Sequence, residues 1–144
     1  MFDENIPTVP FISILYREHG KYLNEKVKDD DLSFGLYPLL IKIYNNEGII
    51  QEQLAKSFHL NESTITRNLK KLEDKGFIKR IPDKRTKRIE ITDKGKKTAQ
   101  KVMDYDNMWD NRIKGIIGND EYDNFKNTLK KIAEELIWIK QYMT

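Results

Sequence analysis

Between Asn61 and Thr92 the apolar periodicity changes once, at a glycine, and that change limits the fold more than any other feature of the chain. Ile65, Leu69 and Leu72 recur at i, i+4 and i+7, the single buried stripe of an amphipathic helix. Gly76 stops the helix. Phe77 to Ile81 then reads as a strand, Pro82 to Arg88 as a turn, and Ile89 with Ile91 as the alternating return strand. The stripe is what the helix needs in order to fold, so its other face is free for function. That face carries Ser63, Thr64, Thr66, Arg67, Lys70 and Lys71. Short hydroxyls followed by cations are the side chains that meet phosphates and base edges. Lys84, Arg85, Lys87 and Arg88 are expected at the hairpin tip.

Charge is distributed to match. The chain carries a formal +3, but residues 61–97 hold 13 Lys and Arg against 6 Asp and Glu, so the remainder is net acidic. A basic middle between acidic ends favours a local polyanion site over general stickiness, although a merely solvated charged face is the plain alternative.

Other features narrow the class. At 144 residues one domain with a real core is expected. The absence of cysteine excludes disulfides, thiolate nucleophiles and thiol redox sensing. No apolar run approaches the roughly 20 residues of a membrane helix, and Phe11 to Leu15 is too short for a signal peptide core. A soluble, cytoplasmic protein is expected. His19 and His59 are the only histidines, and no nucleophile triad, phosphate-cradling glycine loop or metal-ligand spacing occurs. Neither catalysis nor a cofactor or metal is expected. Glu134, Glu135 and Asp29 to Asp31 read as solvated face and loop.

Along the chain, Pro7 and Pro10 suit a first helical turn, and the stripe Ile12, Leu15, Tyr16, His19, Leu23, Val27 carries that helix to about Lys28. Asp29 to Asp31 end it. Ser33 can cap a second helix that buries Leu36, Leu40, Ile43 and Tyr44, with Asn45, Asn46 and Gly48 as its stop. A short helix, 51–58, buries Leu54, Ala55 and Phe58. His59 and Leu60 form a turn, and Asn61 caps the helix already described. Thr92 caps a long helix with the stripe Val102, Tyr105, Trp109, Ile113 and Ile116, and Gly115 and Gly118 weaken its end. The last helix starts near Asn119 and carries Tyr122, Phe125, Leu129, Ile132, Leu136, Ile139 and Met143. This alternating spacing of three and four is a heptad seam. A terminal helix rarely needs so strict a seam for its own core, so Phe125, Leu129, Ile132, Leu136 and Ile139 are expected at a subunit interface, with an intramolecular bundle as the alternative.

The element order predicts a mainly α fold with a small β-hairpin wing. It comprises a winged helix-turn-helix lobe over 32–92 and a helical dimerisation region from 8–28 and 93–144. In such a motif the second helix enters the major groove while the first crosses the backbone, and a cationic wing reaches the adjacent minor groove.

These residues resemble the MarR (multiple antibiotic resistance regulator) family. The resemblance covers nearly the whole chain and is most specific from Leu32 to Gly95. It runs through QEQLAKSFHLNESTITRNLKKLEDKGFIKR and PDKRTKR to ITDKGK. Its discriminating part is the wing spacing Asp83, Arg85, Arg88, followed by Thr92 and Gly95. The resemblance implies a homodimer with interleaved terminal helices on palindromic double-stranded DNA. It further implies that Asp83 shapes the wing by pairing with an arginine, Arg85 and Arg88 dividing pairing and DNA contact in an order the sequence leaves open. A small aromatic or phenolic anion is implied as effector, near Tyr16, Arg17, His19, Tyr37 and Trp109. The chain departs from the family pattern at Thr86, where an acidic residue is common, and at Ile50, where a capping Ser or Thr is common. Losing that cap would cost about 1 kcal/mol unless another partner is found.

The expected DNA contacts are therefore Gln51, Ser63, Thr64, Thr66, Arg67 and Lys70 on the helices, with Lys84, Arg85, Lys87 and Arg88 on the wing. Arg67 suits a bidentate guanine contact or a phosphate clamp, and Thr66 has the alternative of bonding back to its own helix. A repressor released by its effector is the leading expectation. A winged-helix protein-interaction or assembly module is the alternative.

Overall fold

The structure, a computed structural model, describes residues 2–33 and 35–143. The side chains of 138–143 are outside that description, and the seam positions Ile139 and Met143 fall there. Among the described residues are six α-helices and one antiparallel two-stranded sheet. None of these helices is long and apolar enough to cross a membrane.

Helix α1, Thr8–Val27, runs as expected into a 3-10 turn at Lys28–Asp30, and Asp31 at φ 57° turns the chain away. The acidic run is exposed at Asp29 and Asp31 and half-buried at Asp30, and two of its carboxylates are paired: Asp30 meets Lys101 at 2.8 Å and Asp31 meets Lys75 at 2.6 Å. Helix α2, Tyr37–Asn45, begins later than a Ser33 cap requires. Ser33 instead closes a turn through its carbonyl, which accepts from the Leu36 N–H at 3.0 Å. Pro38 is the reason. Counted from a Ser33 cap it would lie in the second turn, where its ring meets a carbonyl and its missing N–H is needed. In the observed helix it occupies the first turn, where neither matters.

Helices α3, Gln51–Phe58, and α4, Glu62–Asp74, form the helix-turn-helix, linked through His59 at φ 52°. Asn61 caps α4 as expected, its Oδ1 accepting from the Thr64 N–H at 2.8 Å. Ile50 gives α3 no side-chain acceptor, but Gln53 returns half a capping box by accepting the Ile50 N–H at 3.1 Å. Ile50 also has another task. It is extended and bridges Arg88, while the Ile49 carbonyl accepts from the Ile89 N–H at 3.0 Å. The segment before α3 thus lends the wing a rudimentary third strand, a setting in which a β-branched residue fits.

The wing is longer and tighter than expected. Strands β1, Ile78–Asp83, and β2, Thr86–Ile91, pair from Ile78↔Ile91 to Asp83↔Thr86, which leaves only Lys84 and Arg85 as the turn. Lys87 and Arg88 therefore lie in β2, opposite Pro82 and Ile81, and not at the tip. Pro82 continues the strand at no hydrogen-bonding cost. A two-residue hairpin makes Asp83↔Thr86 a bonded pair and Pro82↔Lys87 a non-bonded one, so the missing donor would have faced outward.

Gly76, at φ 81°, ends α4 in the left-handed conformation that glycine adopts most cheaply. The chain then enters the core with Phe77 fully buried. Thr92 caps helix α5, Asp93–Ile117, accepting from the Gly95 N–H at 3.1 Å and donating toward the carbonyls of Gly76 and Phe77. Gly95 is required by space: a Cβ there would collide with the Phe77 carbonyl and approach the Ile91 side chain at 2.7 Å.

The chain forms two compact units that divide after Asp106. In the first, one core joins Leu39, Leu40 and Ile43 of α2 to Leu54, Ile65, Leu69, Phe77 and Ile89 of the winged lobe. Leu23 and Val27 of α1 and Ala99 and Val102 of α5 complete it. A lobe of some 60 residues is marginal by itself, and these flanking helices enlarge its core. The second unit holds the end of α5 and helix α6, Asn119–Met143. There Tyr122 is buried, with the Lys114 ammonium 4.9 Å from its ring centroid. Farther along the seam Leu129, Ile132 and Leu136 stay 44, 51 and 62% exposed.

Candidate nucleic-acid interface

The buried stripe of α4 fixes what its outer face presents. Ile65, Leu69 and Leu72 are fully buried, and Ser63, Thr66, Arg67 and Lys70 are exposed, with Thr64 half-buried. These polar residues are not equally available. The Thr66 hydroxyl donates to the Glu62 carbonyl at 2.7 Å and accepts from the Gln51 amide at 2.6 Å, a bond that joins α3 to α4. Ser63 donates to the Asn61 cap at 2.8 Å, and Lys70 pairs with Asp74 at 3.2 Å. Arg67 makes only a long 3.5 Å contact to the Thr64 hydroxyl. It has no ion pair within 4.0 Å among the described residues.

The wing sorts its cations in the same way. Arg88 pairs with Glu90 at 2.8 Å and is half-buried. The Asp83 carboxylate makes no ion pair among the described residues, so the expected pairing of Asp83 with a wing arginine is not formed. Glu90 takes that place. The register explains this: Arg88 and Glu90, two apart in β2, project from the same face, whereas Arg88 lies opposite Ile81 and not opposite Asp83. At the tip, Lys84 has φ 55° and Arg85 is exposed. Positive φ at the first central position alone suits a type II′ turn, one of the two that match strand twist. Thr86 closes the turn, its hydroxyl donating to the Asp83 carbonyl at 3.0 Å. No acidic side chain is needed there.

Between α4 and the wing lies an open concavity of about 400 Å³ whose lining includes Gln51, Glu62, Thr66, Arg80, Arg85 and Lys87. Two of its features escape a sequence reading. One is the acid contributed on the helix side by Glu52 and Glu62. The other is Arg80, whose guanidinium is held by Glu73 through Nη2–Oε1 at 2.9 Å and Nε–Oε2 at 3.3 Å. Glu73 Oε2 also accepts the Arg80 backbone N–H at 3.1 Å. Arg80 holds the Glu73 carboxyl below its ordinary range, and Glu73 raises the guanidinium in return. The available signal was phase, because Arg80 alternates onto the same face of β1 as buried Ile78.

Of the expected effector residues, Tyr16, Arg17, His19 and Tyr37 belong to the first unit and Trp109 to the second. His19 meets the Asp106 carboxylate at 2.8 Å, and its ring centroid lies 6.1 Å from that of Tyr37. Burial, followed by the Asp106 charge, pushes the Tyr37 phenol up to about 12. Tyr16 and Arg17 are exposed on α1. Trp109 belongs to the second unit, where Arg112 lies 5.3 Å from its ring centroid. No group of His, Asp and Glu among the described residues could hold a metal ion.

Comparison with known proteins agrees with this architecture. The model of the MarR family matches residues 32–89. The HTH-type transcriptional regulator YybA of Bacillus subtilis (strain 168) is 43% identical over 89 residues, which cover 60% of this chain and 59% of that relative. SarZ of Staphylococcus haemolyticus (strain JCSC1435), another HTH-type transcriptional regulator, is 31% identical over 114 residues, 74% of this chain and 73% of the relative. Among solved structures, a crystal structure of MarR superposes with a TM-score of 0.84 at 27% identity over 98% of both chains.

Proposed function

The chain belongs to the MarR family of transcriptional regulators, and from that premise we propose that it binds a specific double-stranded DNA site as a homodimer and represses by occlusion. The observation carrying this reading is how the cations are partitioned. Lys70, Lys75, Arg80 and Arg88 are spent on ion pairs. Arg67 on α4 and Lys84, Arg85 and Lys87 on the wing make none among the described residues, and the three wing residues border the same concavity. Phosphate binding needs cations that are not already neutralised.

In this reading α4 enters the major groove with Ser63, Thr64 and Arg67 foremost, and Gln51 and Thr66 hold the helix pair in place. Arg85 takes the minor-groove role, since it sits at the tip and Arg88 is tied to Glu90. The exposed seam of α6, Leu129, Ile132 and Leu136, supports dimerisation. A two-fold dimer would place its recognition helices about 34 Å apart on a palindromic site. Work on chromosomal DNA would be done in the cytoplasm.

Release by a small aromatic or phenolic anion is the accompanying proposal, with the aromatic groups Tyr16, His19 and Tyr37 as its supports. Asp106 weighs against a bare anion beside His19, so the ligand is expected to approach from the Arg17 side.

Selection of bound duplexes from a random pool by the purified protein tests the reading, followed by affinity measurements across a salt series. A palindromic consensus and a steep loss of affinity with salt are expected. Recovery of no preferred sequence, together with a flat salt response, would point instead to a winged-helix protein-interaction module.

A further inference from the structure

Glu73 is the penultimate residue of α4, and Arg80 the third residue of β1. Their contact is the one charged link seen between the recognition helix and the wing among the described residues. It is more than a surface ion pair. Arg80 is 14% exposed and Glu73 35%, the guanidinium meets both carboxylate oxygens, and the same carboxylate takes the backbone N–H of Arg80. That N–H faces away from β2, because Arg80↔Ile89 is a non-bonded pair in the register set by the hairpin. Glu73 therefore grips strand β1 by its backbone and its side chain together. A planar fork with a third bond allows far less angular freedom than a point charge does.

We infer that Glu73, acting through Arg80, is a positioning residue that sets the angle between recognition helix and wing, and thereby the register in which one subunit reads a major groove and its neighbouring minor groove. This rests on the duplex-DNA reading above. Base contacts from α4 and the tip contact from Arg85 form together only if helix and wing are held at one spacing. A pair locking α4 to β1 beside the concavity is placed to do that. The electrostatic expectation is the opposite. Glu73 is an acid near the proposed DNA face, and removing its charge should by charge alone tighten DNA binding.

That opposition supplies the test. Glu73→Gln keeps the shape and removes the charge, and Arg80→Lys keeps the charge and removes the fork. Each variant is compared with the unaltered protein on the duplex obtained by random-pool selection and on a random-sequence duplex of equal length, after thermal melting shows it folded. Both variants are expected to lose about tenfold on the selected duplex, the size of one misplaced base contact. They should change little on the random duplex and keep the salt slope of the unaltered protein. Equal or tighter binding of the selected duplex by folded Glu73→Gln would overturn the inference. If Glu73→Gln fails to fold, Arg80→Lys decides alone: undiminished binding overturns the inference, as does a loss shared equally with the random duplex, which would make Arg80 a phosphate contact. If the unaltered protein itself binds no duplex, the DNA reading has failed. If it binds and the variants match it, only the positioning role has.

Discussion

The Gln51 amide donates to the Thr66 hydroxyl across 2.6 Å, linking the first residue of α3 to the middle of α4. Thr66 passes the bond onward to the Glu62 carbonyl within its own helix. Both side chains suit DNA contact by type and position, and their bond also braces the two helices against each other. A double-mutant cycle of Gln51→Ala and Thr66→Val, followed by urea unfolding, is expected to give a coupling of about 0.5–1 kcal/mol. Strict additivity would mean that the bond contributes nothing to the brace.

Two glycines of α5 should respond oppositely to the same change. Gly95→Ala drives a Cβ into the Phe77 carbonyl and the Ile91 side chain, and is expected to destabilise by about 2–3 kcal/mol. Gly115→Ala meets nothing within 4 Å and should stabilise by about 0.5–1 kcal/mol through helix propensity. Melting temperatures of the two variants should therefore move in opposite directions. A shared direction would contradict the packing described for Gly95.

The Glu73–Arg80 clamp also has a pH signature. The folded-state pKa of Glu73 lies below its ordinary 4.5, chiefly through hydrogen bonding to Arg80. A depressed carboxyl stabilises the fold above the unfolded pKa and loses that contribution as pH falls through the folded value. The stability advantage over Glu73→Gln should thus be full well above the ordinary 4.5 and fade as pH falls below it, toward the lower folded value. Parallel chemical unfolding curves across that range check it, and an advantage that grew on acidification would reverse the assignment.

On the wing, Arg85→Ala is expected to lower the slope of log affinity against log salt by about 1. Arg88→Ala should lower it less, since Glu90 already neutralises that arginine. Equilibrium titrations at several salt concentrations decide the order. The reverse ranking would move the minor-groove role from the tip into β2.

For the terminal seam, Leu136→Asp places a charge where 62% of a leucine is exposed. If the exposed stripe is a subunit contact, the variant should sediment as a monomer at micromolar concentration and prefer a full palindrome over a half-site far less than the unaltered protein does. An unchanged dimer mass would place the interface elsewhere.

What the amino-acid order decided alone was the set of elements and the side each one buries. Ile65, Leu69 and Leu72 announce the inner face of α4, Asn61 and Gly76 its ends, and Thr92 the start of α5. These are local facts, because burial pattern, caps and glycine stops depend on neighbours within one or two turns. Where a local rule met a second one, the sequence reading faltered: Ser33 is a good cap, but Pro38 sets where α2 starts. Tertiary structure alone decided the partnerships. Glu73 finds Arg80, Arg88 takes Glu90 over Asp83, and Gln51 reaches Thr66. Such pairings depend on helix crossing and hairpin register, to which distant parts of the core contribute. They decide which side chains between Asn61 and Thr92 hold one another and which make no ion pair among the described residues.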